Sequence, residues 1–253
     1  GAHPLRARAE SEYGLISAFG PTHTLFVDLY PPTVTLAALP PYTNAIGLSL
    51  RWVGGDGAGS GVVGYALEHR YGGGGWQVFA SGGADYTETP YTLHEEGEYG
   101  LRVRAVDGVG REGVSAAQEV VADRTAPTLT LTLSESGPYA HVRGDTVYYG
   151  PYTGTYTVTA QMADATAGLA EVVFPDVTAS GAVYALNGAA SAVRSHAYTF
   201  TAAVGASVLD ARTVPVTATD RATNAATRTF TVERDATPPA VWVNAPAGVV
   251  TGP

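Results

Sequence analysis

The chain has 253 residues, 45% of them hydrophobic and 15% charged, which is enough for two domains with packed cores and excludes general disorder. A formal net charge of −9, with all 14 basic residues being scattered arginines, excludes a phosphate backbone as partner. Cysteine and lysine are both absent, which excludes disulfides, thiol catalysis, Cys-ligated zinc and lysine isopeptide crosslinks. No segment approaches the roughly 18 consecutive apolar residues of a membrane span. Residues 1–20 lack the basic start and apolar middle of a signal peptide, so the chain reads as a mature fragment or an interior segment.

The first element is a partial copy of a later one. "LRARAESEYG" (5–14) lines up with "LRVRAVDGVG" (101–110), matching Leu5, Arg6, Arg8, Ala9 and Gly14 to Leu101, Arg102, Arg104, Ala105 and Gly110. Residues 1–31 are therefore expected to be the last two strands of an upstream β-sandwich. A short sentence follows, "FVDLYPPTVTL" (26–36), and returns as "VVADRTAPTLTL" (120–131) and "VERDATPPAVWV" (232–243). Aligned on Pro32, Pro127 and Pro239, each copy has an aspartate four residues earlier: Asp28, Asp123 and Asp235. The spacings, 95 and 112 residues, are those of whole β-sandwich domains rather than solenoid turns. Proline fixes φ and stops the preceding strand, so the sentence reads as a short, stiff interdomain joint.

Between the joints the pattern has period two. In 32–126, Ile46, Leu48, Leu50 and Trp52 alternate with Gly47, Ser49 and Arg51, and Tyr99, Leu101, Val103 and Ala105 alternate with Gly100, Arg102 and Arg104. In 127–238, Leu129, Leu131 and Leu133 alternate with threonines, and Tyr156, Val158 and Ala160 repeat the pattern. One buried and one wet face predict antiparallel sandwiches. Turns are predicted at "GGDGAGSG", "YGGGGW" and "DGVGREG", and no helix is expected. Pro215, inside "TVPVTAT", predicts an edge or a bulge there. Residues 239–253 are expected to form the first strand of a downstream domain.

These stretches carry a resemblance. Residues 32–126, with "LSLRW", "SGVVGYALEHR" and "GEYGLRVRAVDGVGREG", resemble a fibronectin type III domain, and Tyr99 takes the place of its corner tyrosine. Residues 127–238, with "ADATAGLAEVVF" and "VTATDRATNAATRTFTV", resemble a bacterial Ig-like repeat, with Thr223 where that family commonly has glycine. The fold class is thus expected to be all-β: tandem Ig-like and fibronectin type III-like sandwiches on short Asp/Pro linkers. Trp52, Tyr65 and Tyr99 are expected to hold the first unit together.

Motifs that carry chemistry are weak. "GSGVVG" (Gly59, Gly61, Gly64) matches a dinucleotide pattern but precedes a β run instead of the helix that pyrophosphate needs. "HEEGE" (94–98) is no H-E-x-x-H, and no G-x-S-x-G elbow exists. No residue is assigned a catalytic or cofactor-binding role. One constellation stands out. At the end where the chain enters a sandwich, the linker aspartate meets the loop between the second and third strands and the loop between the last two. This gathers Asp28, Asp56 and Asp107 in the first unit and Asp123, Asp164 and Asp220 in the second. Three converging carboxylates repel unless solvated, hydrogen-bonded or neutralised, and Ca²⁺, which takes six to eight oxygens, suits such a joint. The plainer reading is that each aspartate caps its own turn.

The expected function is structural: a non-catalytic segment of a bacterial extracellular surface protein or filament. Its partners would be other copies of itself or adjacent domains of a longer chain. Two alternatives stay open, an adhesin or glycan-binding module built on some of the 15 tyrosines, and spacer domains of a secreted hydrolase.

Overall fold

The computed structural model describes residues 2–177, 181–200, 211–235, 237 and 239–241. The strand expected within 239–253 lies mostly outside the described residues. Among the described residues every regular element is a strand, and no helix is long and apolar enough to cross a membrane.

The chain opens with a hairpin, β1 (Ala2–Leu5) and β2 (His23–Phe26). The first unit holds β3 (Thr33–Leu36), β4 (Tyr42–Thr43), β5 (Gly47–Gly55), β6 (Val62–Tyr71), β7 (Gln77–Gly83), β8 (Glu88–Thr92), β9 (Gly97–Asp107), β10 (Glu112–Val114) and β11 (Gln118–Ala122). The second holds β12 (Thr128–Glu135), β13 (Ala140–Arg143), β14 (Thr146–Tyr149), β15 (Gly154–Ala163), β16 (Leu169–Phe174), β17 (Ala182–Ala189), β18 (Ser191–Phe200), β19 (Arg212–Asp220) and β20 (Ala225–Arg234).

The units share one topology. The first pairs β3-β5-β8 against β4-β11-β9-β6-β7, with β10 also on β9. The second pairs β12-β15-β18 against β13-β14-β20-β19-β16-β17. Two sheets face each other in each unit, and the alternating apolar residues fill the space between them. Leu50, Trp52, Leu101, Val103 and Ala105 are buried in the first core; Tyr156, Val158, Ala160, Tyr198 and Phe230 are buried in the second. Ile46 departs from the expected alternation. It precedes β5, where the pleat has not begun, and is exposed. "GSGVVG" runs straight into β6, so the strand rules out the helix that pyrophosphate binding requires.

Pro215 lies in β19, which is an interior strand of its sheet and not an edge. Its position is tolerated because the pairing of β19 with β16 ends at Thr217 with Val173, before the proline is reached. Trp52 packs edge-on against Tyr65 and Tyr86, with ring centroids 5.9 and 5.0 Å away. Tyr99 forms the expected corner: its hydroxyl accepts from the Glu95 N–H at 2.9 Å and donates to the Glu95 carbonyl at 3.0 Å.

The hairpin copies the end of the first unit down to its register. Ala2–Phe26, His3–Leu25, Pro4–Thr24 and Leu5–His23 correspond pair for pair to Glu98–Val121, Tyr99–Val120, Gly100–Glu119 and Leu101–Gln118. The turn is copied too. Gly14 donates to the Ser11 carbonyl as Gly110 donates to that of Asp107, and both glycines have positive φ. What differs is burial: Leu5 and Leu25 are about half exposed, where Leu101 and Val120 are fully buried.

Tyr99→Phe is expected to lower the stability of the first unit by about 1–2 kcal/mol, because the Glu95 backbone loses its partner in a half-buried corner. Urea unfolding followed by tryptophan fluorescence checks this, since Trp52 and Trp76 both lie in that unit.

Candidate functional site at the unit joints

The same backbone device recurs at the aspartates of all three repeated stretches. Each aspartate accepts, on one carboxylate oxygen, the N–H two residues on: Tyr30 to Asp28 at 3.3 Å, Thr125 to Asp123 at 3.0 Å and Thr237 to Asp235 at 3.0 Å. This is the Asx turn that aspartate favours. At the first two joints the second oxygen reaches the following unit. Asp28 Oδ2 accepts from the Ser60 N–H and hydroxyl, both at 2.7 Å, and Asp123 Oδ2 accepts from the Ala167 N–H at 2.9 Å. One carboxylate therefore ties the end of one stretch to both the linker and the unit that follows. The proline that follows is pressed against its unit: a Cβ on Gly113 would lie 1.7 Å from the Pro32 carbonyl oxygen, so only glycine fits that position in β10.

All six aspartates singled out in the sequence come together in the two expected groups. Asp28, Asp56 and Asp107 form one, Asp123, Asp164 and Asp220 the other, and in each the three offered oxygens lie within 4.8 Å of one another. Two loops build each group in the same way. Asp56 accepts from the Gly61 N–H at 2.6 Å, and Asp164 accepts from the Gly168 N–H at 2.7 Å. Asp107 accepts from the Val109 and Arg111 N–H groups, and Asp220 accepts from that of Asn224.

The groups differ at one position that the sequence reading passed over. Arg111 and Asn224 occupy equivalent places in the last turn of each unit. The Asn224 amide donates to Asp220 Oδ2 at 2.8 Å and to the Asp123 carbonyl at 2.9 Å, knitting the second group together. Arg111 supplies no such amide, and Asp107 Oδ2 is buried without a hydrogen-bond partner although the residue is 1% exposed. A buried, unpartnered carboxylate oxygen is costly unless a positive charge lies near it. The signal was available in the alignment of "DGVGR" with "DRATN", which sets Arg111 against Asn224.

The second joint is reinforced from outside the acid group, again by residues not foreseen. Arg221 donates to the Tyr42 hydroxyl at 2.6 Å and stacks over its ring at 5.1 Å, joining the two units by hydrogen bond and cation–π contact. Asn44 donates to the Thr223 hydroxyl at 3.3 Å. Thr223 has φ of 72°, the left-handed conformation that glycine takes at Gly110, so a β-branched residue stands where glycine would be relaxed. Its hydroxyl reaches across the joint from that strained position.

Hydrogen bonds from the Ser60 hydroxyl, and then its N–H, hold the Asp28 carboxyl below its ordinary pKa of 3.8, with a smaller pull from Arg111.

No protein family model and no curated protein matches this sequence. Solved structures do. The fibronectin(III)-like modules of Clostridium thermocellum CbhA are 18% identical with a TM-score of 0.42, over 80% of this chain and 95% of that one. A 1.5-MDa bacterial ice-binding adhesin involved in host cell surface retention is 15% identical with a TM-score of 0.36, over 82% of this chain and 66% of that one. Dimeric latent PorU from Porphyromonas gingivalis is 15% identical with a TM-score of 0.28, over 83% of this chain but 25% of that one. The chain is a segment of tandem fibronectin type III-like β-sandwiches. Its own strand order and corner tyrosine carry that statement.

Thr223→Gly is expected to stabilise the second unit by about 1 kcal/mol by removing the strained φ. The same change removes the hydroxyl that Asn44 reaches, so thermal unfolding should rise while the joint loosens in small-angle scattering. Because the Asp28 carboxyl is held below 3.8 when folded, its contribution is full above that pH and fades as pH falls through the lower folded value. The stability gap between wild type and Asp28→Asn, followed by urea unfolding across an acid titration, should therefore close in acid.

Proposed function

We propose that this chain is a structural, non-catalytic segment of an extracellular bacterial surface protein or filament, and that its work is to hold successive β-sandwiches at a fixed mutual angle. The observation that carries this reading is Asp123. It is fully buried and bound at once by Thr125 in the linker and by Ala167 and Asn224 in the second unit. Such a joint replaces the loose coil that would otherwise let two domains move independently. The matched register of the opening hairpin supports a third sandwich in the same array, of which residues 1–31 are the last two strands.

Calcium belongs to the same reading. The Asp28, Asp56 and Asp107 group offers carboxylate oxygens within 4.8 Å of one another and one buried oxygen with no donor, which suits a hard cation that takes many oxygens. The Asp123, Asp164 and Asp220 group is the weaker candidate, because the Asn224 amide already serves the Asp220 carboxylate and the Asp123 carbonyl. An ion at the first group would add a charge-based clamp to the Asx turn of Asp28.

The absence of native cysteine makes paired spin labels at Ser49→Cys and Thr229→Cys unambiguous reporters of the angle between the units. A single narrow distance distribution is expected, which Arg221→Ala should broaden while both units stay folded. A broad distribution in the unaltered chain would overturn the proposal. For the ion, calorimetry should show heat on adding Ca²⁺ that Asp107→Asn removes and Asp220→Asn largely retains; no heat with the unaltered chain rejects the calcium site.

A further inference from the structure

The end of the second unit at Asp235 is built like the end of the first unit at Asp123. Asp235 donates its N–H to the Tyr149 carbonyl at 3.0 Å, as Asp123 donates to that of Thr43 at 2.9 Å. The neighbouring strands pair in parallel in the same register: Glu233–Tyr148 and Arg234–Tyr149 match Val121–Tyr42 and Ala122–Thr43. Tyr148 is therefore the counterpart of Tyr42, the tyrosine on which the second unit rests its Arg221.

Around Tyr148 the surface is hollow. A cleft of about 680 Å³ is lined by Tyr139, Tyr148, Tyr149, Tyr152, Arg234 and Asp235 among others. Tyr139 and Tyr152 are each 58% exposed, and their rings lie 4.8 Å apart. Among the described residues only the linker's own Thr237 donates to the Asp235 carboxylate, whereas Asp28 and Asp123 each also bind a loop of the following unit.

We infer that this tyrosine-lined end face is the seat for a further β-sandwich unit of the same topology, joined in line through Thr237–Pro239. The inference rests on the mechanical reading above and assigns a surface to it. The loop of the incoming unit that corresponds to the one between β15 and β16 donates a backbone N–H to Asp235 Oδ2. An arginine in the turn before its last strand lies on Tyr148. Arg234 stands where the first unit has Ala122, so the incoming loop also offers a carboxylate or carbonyl that the second joint does not need. The repeated joint favours this occupant over a glycan, the other chemistry that stacks on exposed tyrosines.

The test supplies such a unit from the chain itself. A copy of residues 128–235 is fused after Pro239 of the full chain, which reproduces the spacing from aspartate to first strand found at Asp123. Spin labels in the native second unit and its appended copy should give one narrow distance distribution, and Tyr148→Ala or Asp235→Ala should each abolish that narrow peak with circular dichroism unchanged. A broad distribution in the unaltered fusion overturns the inference. So does oligosaccharide binding at the tyrosines that the appended unit fails to block. A narrow distribution between the first two units alongside a broad one at the appended unit would sink this inference and leave the mechanical reading standing.

Discussion

The arrangement of this chain hangs on a carboxylate that accepts backbone N–H groups from the linker and from the unit beyond it. A proline-led linker alone sets φ at one residue and leaves its neighbours free. Asp123, at the end of the first unit, limits that freedom by binding Thr125 in the linker and Ala167 in the second unit. Ser60 and Ala167 each supply a main-chain N–H to the aspartate that precedes their unit, and Ser60 adds its hydroxyl. The loop between β5 and β6, or between β15 and β16, has to present an N–H at the right place.

Bringing three carboxylates together has a cost, and the two groups meet it differently. In the second unit Asn224 spends its amide on Asp220 and on the Asp123 carbonyl, so the group is held by dipoles. In the first unit Arg111 takes that place, and among the described residues Asp107 Oδ2 has no donor. One residue thus separates a group whose oxygens are served by an amide from one that leaves a buried oxygen without a donor among the described residues.

Much of this was legible in the sequence because it follows from periodicity and spacing. The alternation over Tyr99–Ala105 fixes which face is buried, and β9 buries those residues. The repeat of Asp28, Asp123 and Asp235 is matched by one shared Asx turn, and sandwich topology brings the six aspartates into two groups. Other features were hidden for physical reasons. Ile46 fits the alternation yet lies outside the strand, since a two-residue period cannot show where pairing starts. Pro215 argued for an edge strand, but a strand that outruns its neighbour offers an unpaired position inside a sheet. The pairings of Arg221 with Tyr42 and of Thr223 with Asn44 join residues 179 apart, and no local pattern records them.

The parallel pairing of β14 with β20 has a consequence for an array under load. β14 belongs to the entering part of the unit and β20 to its exit, and four residue pairs, Thr146–Thr231 to Tyr149–Arg234, run side by side in the same direction. Tension applied through the two joints pulls these strands past one another along their length. The ladder is then loaded in shear, so its hydrogen bonds share the force and must fail together, whereas an antiparallel hairpin pulled from its open end gives way one bond at a time. The first unit repeats the arrangement with the shorter pairing of β4 and β11. The first unit therefore has fewer residue pairs that share load in this way.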